Sequence, residues 1–190
     1  MTHSAQEITH SHLTLEQLQN WQALGYGMFI SFGMSTFVAE EHPSGTYPSS
    51  VYASDQLDVD QWVRVARDAG MKYAVLTTKH VAGHCLWPSK QTDYHVGSSR
   101  NPTDVVAEFV RACAKYRILP GLYYCSMDNH HTFGSLTPTD LGWDGAYFTT
   151  RAYQDFQTAQ LEELLTEYGK IAEVWIDIPQ AIPRDYRQFL

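Results

Sequence analysis

Residues 72–88 read KYAVLTTKHVAGHCLWP, and this stretch decides the fold class. Its first seven residues are mainly apolar or β-branched and show no polar alternation, which is typical of a strand buried on both faces of a parallel sheet. Lys79 and His80 follow at once, where loops gather at the carboxyl end of such a strand. We therefore predict a strand over 72–78 that carries polar side chains at its end.

Strand-like and helix-like segments alternate on both sides of this stretch. Asp58 and Gln61 have capping-box spacing ahead of an apolar stripe that Gly70 closes. Asn101-Pro102 is predicted to open a second helix with an N-cap and a proline at its first position. The remaining predicted elements are strands at 27–33, 121–125 and 173–178, a third helix at 151–168 with Leu165 facing inward, the opening of a helix at 184–190, and a long loop from Met34 to Gln56.

This order of elements predicts a parallel α/β architecture. Four strands are half of a (β/α)8 TIM-like barrel, which typically needs about 250 residues. We therefore expect residues 1–190 to be the N-terminal portion of one catalytic barrel domain, a truncated sequence or fragment in which residues 1–20 are a polar extension. The alternative is a complete open α/β sheet, but neither G-x-G-x-x-G nor a P-loop is present. Two unpaired sheet edges would favour self-association, so a homo-oligomer is left open.

The composition argues against several classes of function. A formal net charge of −8 with scattered basic residues disfavours nucleic-acid binding, which needs clustered Lys and Arg. There is no apolar signal segment and no run near the ~20 apolar residues of a membrane span, so we expect a cytoplasmic protein without a membrane partner. Cys85, Cys113 and Cys125 lack C-x-x-C spacing, so neither a disulfide framework nor a zinc knuckle is indicated.

A polar group follows each predicted strand, at the end where the reactive side chains of a β/α barrel stand. These groups are Ser31, His80, Tyr123 and Asp177. Asp177 follows Val-Trp-Ile directly, and a carboxylate there costs several kcal/mol to bury unless it is hydrogen-bonded or used. Two interpretations are open: Asp177 performs chemistry, or it only caps the strand and accepts loop N–H bonds. Trp175 points to the same face.

Histidines also occur in the predicted loops. His80 and His84 are four residues apart, but Gly83 indicates a loop, and no Glu lies between them as in H-E-x-x-H. We therefore predict no metal and no cofactor, and interpret His84 as a hydrogen-bonded loop residue. A second loop has no assigned role and contains Asp128, Asn129, His130 and His131.

Four segments together resemble glycoside hydrolase family 29, the α-L-fucosidases, from about Trp21 to the end of the chain. Residues 60–96, DQWVRVARDAGMKYAVLTTKHVAGHCLWPSKQTDYHV, are similar to the family pattern W-A-x-L-x-x-x-A-G-A-K-Y-x-V-L-T-T-K-H-H-D-G-F-x-L-W-x-S-K-x-T-x-Y. The other segments are YGMFISFG at 26–33, ILPGLYYC at 118–125 and EVWIDIP at 173–179. The last resembles the family's nucleophile strand, in which W-x-D carries the catalytic aspartate.

The resemblance implies a (β/α)8-like catalytic domain and a retaining exo-glycosidase. Its substrate would be an oligosaccharide or glycoconjugate bearing an α-L-fucoside or a closely related deoxy-sugar. Asp177 would be the nucleophile and form a covalent glycosyl intermediate, while the general acid/base would lie beyond Leu190. The sugar-binding residues that follow from the same comparison, or from proximity to the expected pocket, are His80, Tyr123, Ser31, Glu41 and Trp87.

The chain departs from the family pattern at several polar positions. The strand-one His and Trp are Ser31 and Phe32 here, and the second His of the pair is Val81. The following Asp is Ala82, and the Phe after the glycine is His84. Such changes alter the hydrogen-bond pattern of a pocket and can redirect specificity.

Two alternatives stand beside the hydrolase, and the departures motivate the first of them. The first is a non-catalytic carbohydrate-binding relative of the same fold, although the retained Asp177 favours an enzyme. The second is an unrelated β/α-barrel lyase or isomerase that uses Lys79 and His80, for which a Schiff-base lysine would have to be desolvated.

Overall fold

The computed structural model describes residues 13–131, 150–179 and 182–190. Its sheet has four strands, β1 (Met28–Ile30), β2 (Tyr73–Lys79), β3 (Leu119–Cys125) and β4 (Glu173–Asp177), which lie side by side in chain order. All three neighbouring pairs are parallel. The predicted parallel α/β architecture is therefore confirmed.

Helices connect and flank these strands. They are α1 (Leu15–Gln22), α2 (Met34–Val38), α3 (Val59–Asp68), α4 (Val105–Tyr116), α5 (Arg151–Thr166) and α6 (Arg184–Phe189), with single 3-10 turns at Ser49–Val51 and Val96–Ser98. None of the helices in the described ranges is long and apolar enough to cross a membrane. Residues 15–20 of the polar extension predicted at 1–20 belong to α1, and residues 1–12 lie outside the described part of the chain.

The predicted start of α4 is wrong by several residues. Asp104, not Asn101, is the N-cap, and its Oδ1 accepts from the backbone N–H of Ala107 at 2.9 Å. The Asn101 side chain is already engaged: its amide donates to the Ser54 carbonyl at 2.6 Å, and its Oδ1 accepts from Thr103 N at 3.1 Å. Asn101 therefore closes a turn ahead of the helix, and Asp104 takes over the capping.

The two faces of the sheet have different neighbours, as the alternation of side chains along each strand requires. One face packs into the main apolar core with α3 and α4 and carries Ala74, Leu76, Leu122, Tyr124, Val174 and Ile176. The opposite face carries Phe29, Val75, Tyr123 and Trp175, of which Phe29 and Trp175 are 46% and 42% exposed. Helix α5 turns Leu161 and Leu164 inward, but Leu165 is 48% exposed, so its predicted burial is wrong.

Candidate functional site

Tyr123 and Asp177 meet at the carboxyl ends of neighbouring strands. The parallel register sets Tyr123 opposite Trp175 and Cys125 opposite Asp177, so all four belong to one face of the sheet. The Tyr123 hydroxyl donates a hydrogen bond to Asp177 Oδ2. Burial raises the pKa of Tyr123, and the nearby Cys125 and Asp177 raise it further, so the phenol remains a donor at neutral pH.

The Asp177 carboxylate is half-buried and held at both oxygens. Oδ1 accepts from the backbone N–H of Ile178 at 2.9 Å, while Oδ2 accepts from Tyr123. The Asp177 carbonyl accepts from Ser126 N at 3.1 Å, which fixes the backbone of β4 to the end of β3. Asp177 thus does accept a loop N–H, as the capping interpretation requires, and it also presents a carboxylate held in one orientation.

His80 lies against Tyr123, directly after β2. The two ring centroids are 5.9 Å apart, and the ring of His42 stacks on His80 at 6.1 Å with 19° between the planes. Burial lowers the pKa of His80 and His42 lowers it further, while the Asp177 and Glu41 carboxylates act in the opposite sense. His80 is therefore neutral at pH 7, and both carboxylates lie close enough to influence it. We call Tyr123, Asp177, His80, Glu41 and His42 the Asp177 cluster.

An aromatic surface adjoins this cluster on the same face of the sheet. Phe29 stacks on Trp175 with centroids 5.3 Å apart, and it packs edge-on against Tyr123 at 5.6 Å. Trp175 Nε1 donates to Glu173 Oε2 at 2.9 Å, which fixes the indole. Ser31, also among the predicted site residues, is exposed just after β1 in a depression it shares with Trp62.

Trp87 does not reach the Asp177 cluster, contrary to its predicted role in sugar binding. Its ring is 1% exposed, and its Nε1 donates to Glu163 Oε2 on α5 at 2.8 Å. The other oxygen of Glu163 accepts from Lys90 N and from Gln91 Nε2, both at 2.9 Å. A buried indole needs a partner for its N–H, and Glu163 supplies it from 76 positions along the chain. Trp87 therefore anchors the loop after β2 to α5.

Three departures from the family pattern lie inside the protein. Val81 and Ala82 are 1% and 2% exposed and pack in apolar clusters, so neither can meet a sugar hydroxyl. His84 is 3% exposed, and its ring stacks on Tyr52 at 5.3 Å. Burial, with smaller contributions from His95 and His130, lowers the pKa of His84 to about 4, so this histidine is neutral at pH 7.

The predicted hydrogen bond of His84 is not found. Among the described residues, neither ring nitrogen of His84 has a hydrogen-bond partner of normal geometry, although the His95 backbone lies close enough to favour the protonated ring slightly. The His84 ring instead packs between aromatic neighbours, with Tyr94 edge-on at 5.0 Å. His84 therefore occupies its position as a ring, in the way a phenylalanine would.

Lys79, at the end of β2, and Asp128, after β3, form a fully buried ion pair. Lys79 Nζ lies 2.9 Å from Asp128 Oδ2 and 4.4 Å from the ring centroid of Tyr124, and both charged side chains are 0% exposed. Burial, the largest single influence, would lower the pKa of Lys79, but Asp128, Tyr153 and Cys85 together outweigh it and the pKa is raised. The ammonium therefore keeps its proton and offers no lone pair, which argues against the Schiff-base alternative.

His42 and the Lys79–Asp128 pair are the parts of this region that sequence reasoning missed. His42 follows Glu41 in a loop whose path no periodicity describes, so only its position beside Glu41 could have drawn attention to it. No three His, Cys, Asp or Glu side chains within the described ranges are close enough to hold a metal ion.

Solved structures of glycoside hydrolase 29 members are similar to this chain. A solved glycoside hydrolase 29 family member from a rumen bacterium is 34% identical with a TM-score of 0.73, and the match covers 86% of this chain and 27% of that one. The structure of α-L-fucosidase isoenzyme 1 from Paenibacillus thiaminolyticus is 30% identical with a TM-score of 0.70, covering 84% and 42%. The fold is thus similar to part of the glycoside hydrolase 29 catalytic domain.

Sequence comparison gives the family itself. The α-L-fucosidase family model matches residues 42–188. Alpha-L-fucosidase 1 of Arabidopsis thaliana is 41% identical over 165 residues, which are 85% of this chain and 30% of that protein. The chain belongs to the α-L-fucosidase family, and it spans about a third of the length of the curated relatives it matches.

Proposed function

We propose that the protein containing this chain is a retaining exo-glycosidase that removes α-L-fucose, or a closely related deoxy-sugar, from oligosaccharides or glycoconjugates. The observation that carries the proposal is the Asp177 carboxylate at the end of β4, oriented by the Tyr123 hydroxyl and the Ile178 amide beside a neutral His80. The sheet would then be the first half of a (β/α)8 barrel, with this cluster at its catalytic end.

In the proposed reaction, Asp177 Oδ attacks the anomeric carbon as the bond from that carbon to the leaving oxygen breaks. A carboxylic acid elsewhere in the full-length protein protonates the departing oxygen. In retaining enzymes the two carboxyl groups lie about 5–5.5 Å apart. The acid, now a carboxylate, then takes a proton from water, which attacks the glycosyl–Asp177 ester and releases the sugar with its original configuration. Two successive inversions give net retention.

The remaining residues of the Asp177 cluster and the adjoining aromatic surface suit the binding of a deoxy-sugar. A neutral imidazole has one donor and one acceptor, so His80 can donate a hydrogen bond to one sugar hydroxyl and accept a hydrogen bond from another. Glu41 adds a carboxylate acceptor from the connection between β1 and α3, which includes α2 and is called here the loop after β1. Phe29 and Trp175 present apolar ring faces against which the C–H face and methyl group of a deoxy-sugar can pack.

The test is the stereochemistry of the first product, followed by NMR on an aryl α-L-fucoside with the full-length protein. The proposal requires α-L-fucose as the first-formed anomer, and mass spectrometry with a slow 2-fluoro substrate should place the sugar on Asp177. A β-anomer as the first product would rule out the covalent mechanism. Fucoside binding without any turnover would instead support the carbohydrate-binding relative, for which the buried, apolar Val81 and Ala82 are the supporting observation.

A further inference from the structure

The segment Asp128–His131, which follows β3, contacts the loops after both β1 and β2. The Asn129 amide donates from Nδ2 to the Pro43 carbonyl at 2.8 Å. His130 Nδ1 lies 2.7 Å from the Gly45 carbonyl, and since a carbonyl only accepts, His130 must carry its proton on Nδ1. These two hydrogen bonds join the loop after β1 to the loop after β3, and the bonded residues are at least 85 positions apart in the chain.

Other contacts fix the side of this segment that faces β2. Asp128 Oδ1 accepts from the backbone N–H groups of His130 at 3.1 Å and His131 at 2.9 Å, while Oδ2 binds the buried Lys79. The His130 ring stacks on Tyr94 with centroids 3.8 Å apart and 12° between the planes. His130 is thus held by its backbone and by its ring, so its Nδ1–H has one direction in which to donate.

The loops after β1 and β3 are in close backbone contact where they meet. Gly45 has φ +78°, and a Cβ atom there would lie 2.5 Å from Asn129 C and from His130 N. Only glycine allows this approach, because any other residue would be strained at this left-handed φ and its Cβ atom would clash with the backbone of Asn129 and His130. Glu41 and His42 lie just ahead of Pro43, and His42 stacks on His80.

We infer that Asn129 and His130 are positioning residues that hold the Glu41–His42 segment against His80. The loop after β3 thereby sets how the loop after β1 meets the sugar. The consequence for sugar binding rests on the proposed function, whereas the consequence for the loop itself does not. Neither residue contacts the reacting atoms in this scheme, so their loss should weaken binding more than turnover.

The experiment uses two variants of His130 in the full-length protein. His130→Phe keeps a ring against Tyr94 but cannot donate to Gly45, whereas His130→Asn loses the ring and keeps a donor close to the position of Nδ1. Hydrogen exchange of the peptide covering 40–47 should rise about fivefold in His130→Phe, as expected for the loss of one hydrogen bond, and should stay near wild type in His130→Asn. KM for an aryl α-L-fucoside should rise by a similar factor in His130→Phe, with kcat within about twofold.

Two further variants keep the test decisive. Asn129→Ala removes the bond to Pro43 and should raise exchange at 40–47 in the same way, even if His130→Phe fails to fold. Tyr168→Phe is the control, because it removes one hydrogen bond, to Asp104, from a helix on the other side of the sheet. Unchanged exchange at 40–47 in the folded variants, or an equal rise in Tyr168→Phe, would overturn the inference. A wild-type protein without glycosidase activity would contradict the proposed function, and the exchange measurement would still decide the role of the two residues.

Discussion

The Tyr123 hydroxyl donates to Asp177 Oδ2, so the side chains at the ends of β3 and β4 act as one unit. In the full-length protein we expect Tyr123→Phe to lower kcat/KM by about 10- to 100-fold, because the carboxylate loses the donor that orients it. The measurement is steady-state hydrolysis of an aryl α-L-fucoside.

The neighbouring tyrosine provides a matched control. Tyr124 points to the opposite face of the sheet, where its hydroxyl donates to Gln160 Oε1 at 2.7 Å. Tyr124→Phe should cost about 1 kcal/mol of stability and leave kcat/KM near wild type. Equal losses of activity in the two variants would mean that the Tyr123–Asp177 bond has no special role.

His84 should make the protein less stable in acid. Its pKa is lowered to about 4 by burial, whereas an unfolded histidine titrates near 6.5. Between these values the unfolded chain binds more protons, so the stabilisation is complete above about pH 6.5 and is lost as the pH falls towards 4. The contribution is on the order of 3 kcal/mol.

The family's own residue gives the test of this pH dependence. His84→Phe preserves a ring against Tyr52 and Tyr94 and removes the titrating group. The stability of the variant relative to wild type, from urea unfolding of the full-length protein, should increase as the pH is lowered from 7 to 4. A difference that does not change with pH would show that His84 is not the group responsible.

Replacing one partner of the Lys79–Asp128 pair should destabilise the protein more than neutralising both partners together. Lys79→Met leaves a buried carboxylate without its main partner and should destabilise the full-length protein by about 3 kcal/mol or more. The double variant Lys79→Met/Asp128→Asn should recover at least half of this loss, because the neutral amide oxygen can still accept from the His130 and His131 amides. Urea unfolding measures both, and additive losses would contradict the account.

Much of the fold follows from local sequence patterns. The strands that contain Val75, Leu122 and Ile176 are short apolar runs, and such runs predict buried strands without long-range information. Because His80, Tyr123 and Asp177 come at the ends of these runs, their positions at the strand ends could be predicted as well. The N-cap of α4 was harder to predict, because Asn101 and Asp104 are equally good N-cap residues. Only the hydrogen bond from Asn101 to the Ser54 carbonyl shows that Asp104 is the residue free to cap.

Long-range contacts explain what the sequence could not predict. An aromatic residue in a loop is compatible with a pocket wall or with the core, and Trp87 belongs to the core because Glu163 on α5 accepts its N–H. The loop that carries His42 is bonded to Asn129 and His130. Both facts depend on partners more than 70 positions away, which no local periodicity encodes.

Azide rescue of an Asp177→Gly variant of the full-length protein, acting on an aryl α-L-fucoside, shows whether Asp177 is the nucleophile. An aryl leaving group needs little protonation, so the assay reports mainly on the nucleophile. The exposed loop residue Asp55 supplies the control, and Asp55→Gly should hydrolyse the substrate like wild type without azide. If Asp177 is the nucleophile, Asp177→Gly is inactive alone and with azide yields the β-L-fucosyl azide of inverted configuration. Wild-type hydrolysis by Asp177→Gly in the absence of azide would contradict the account.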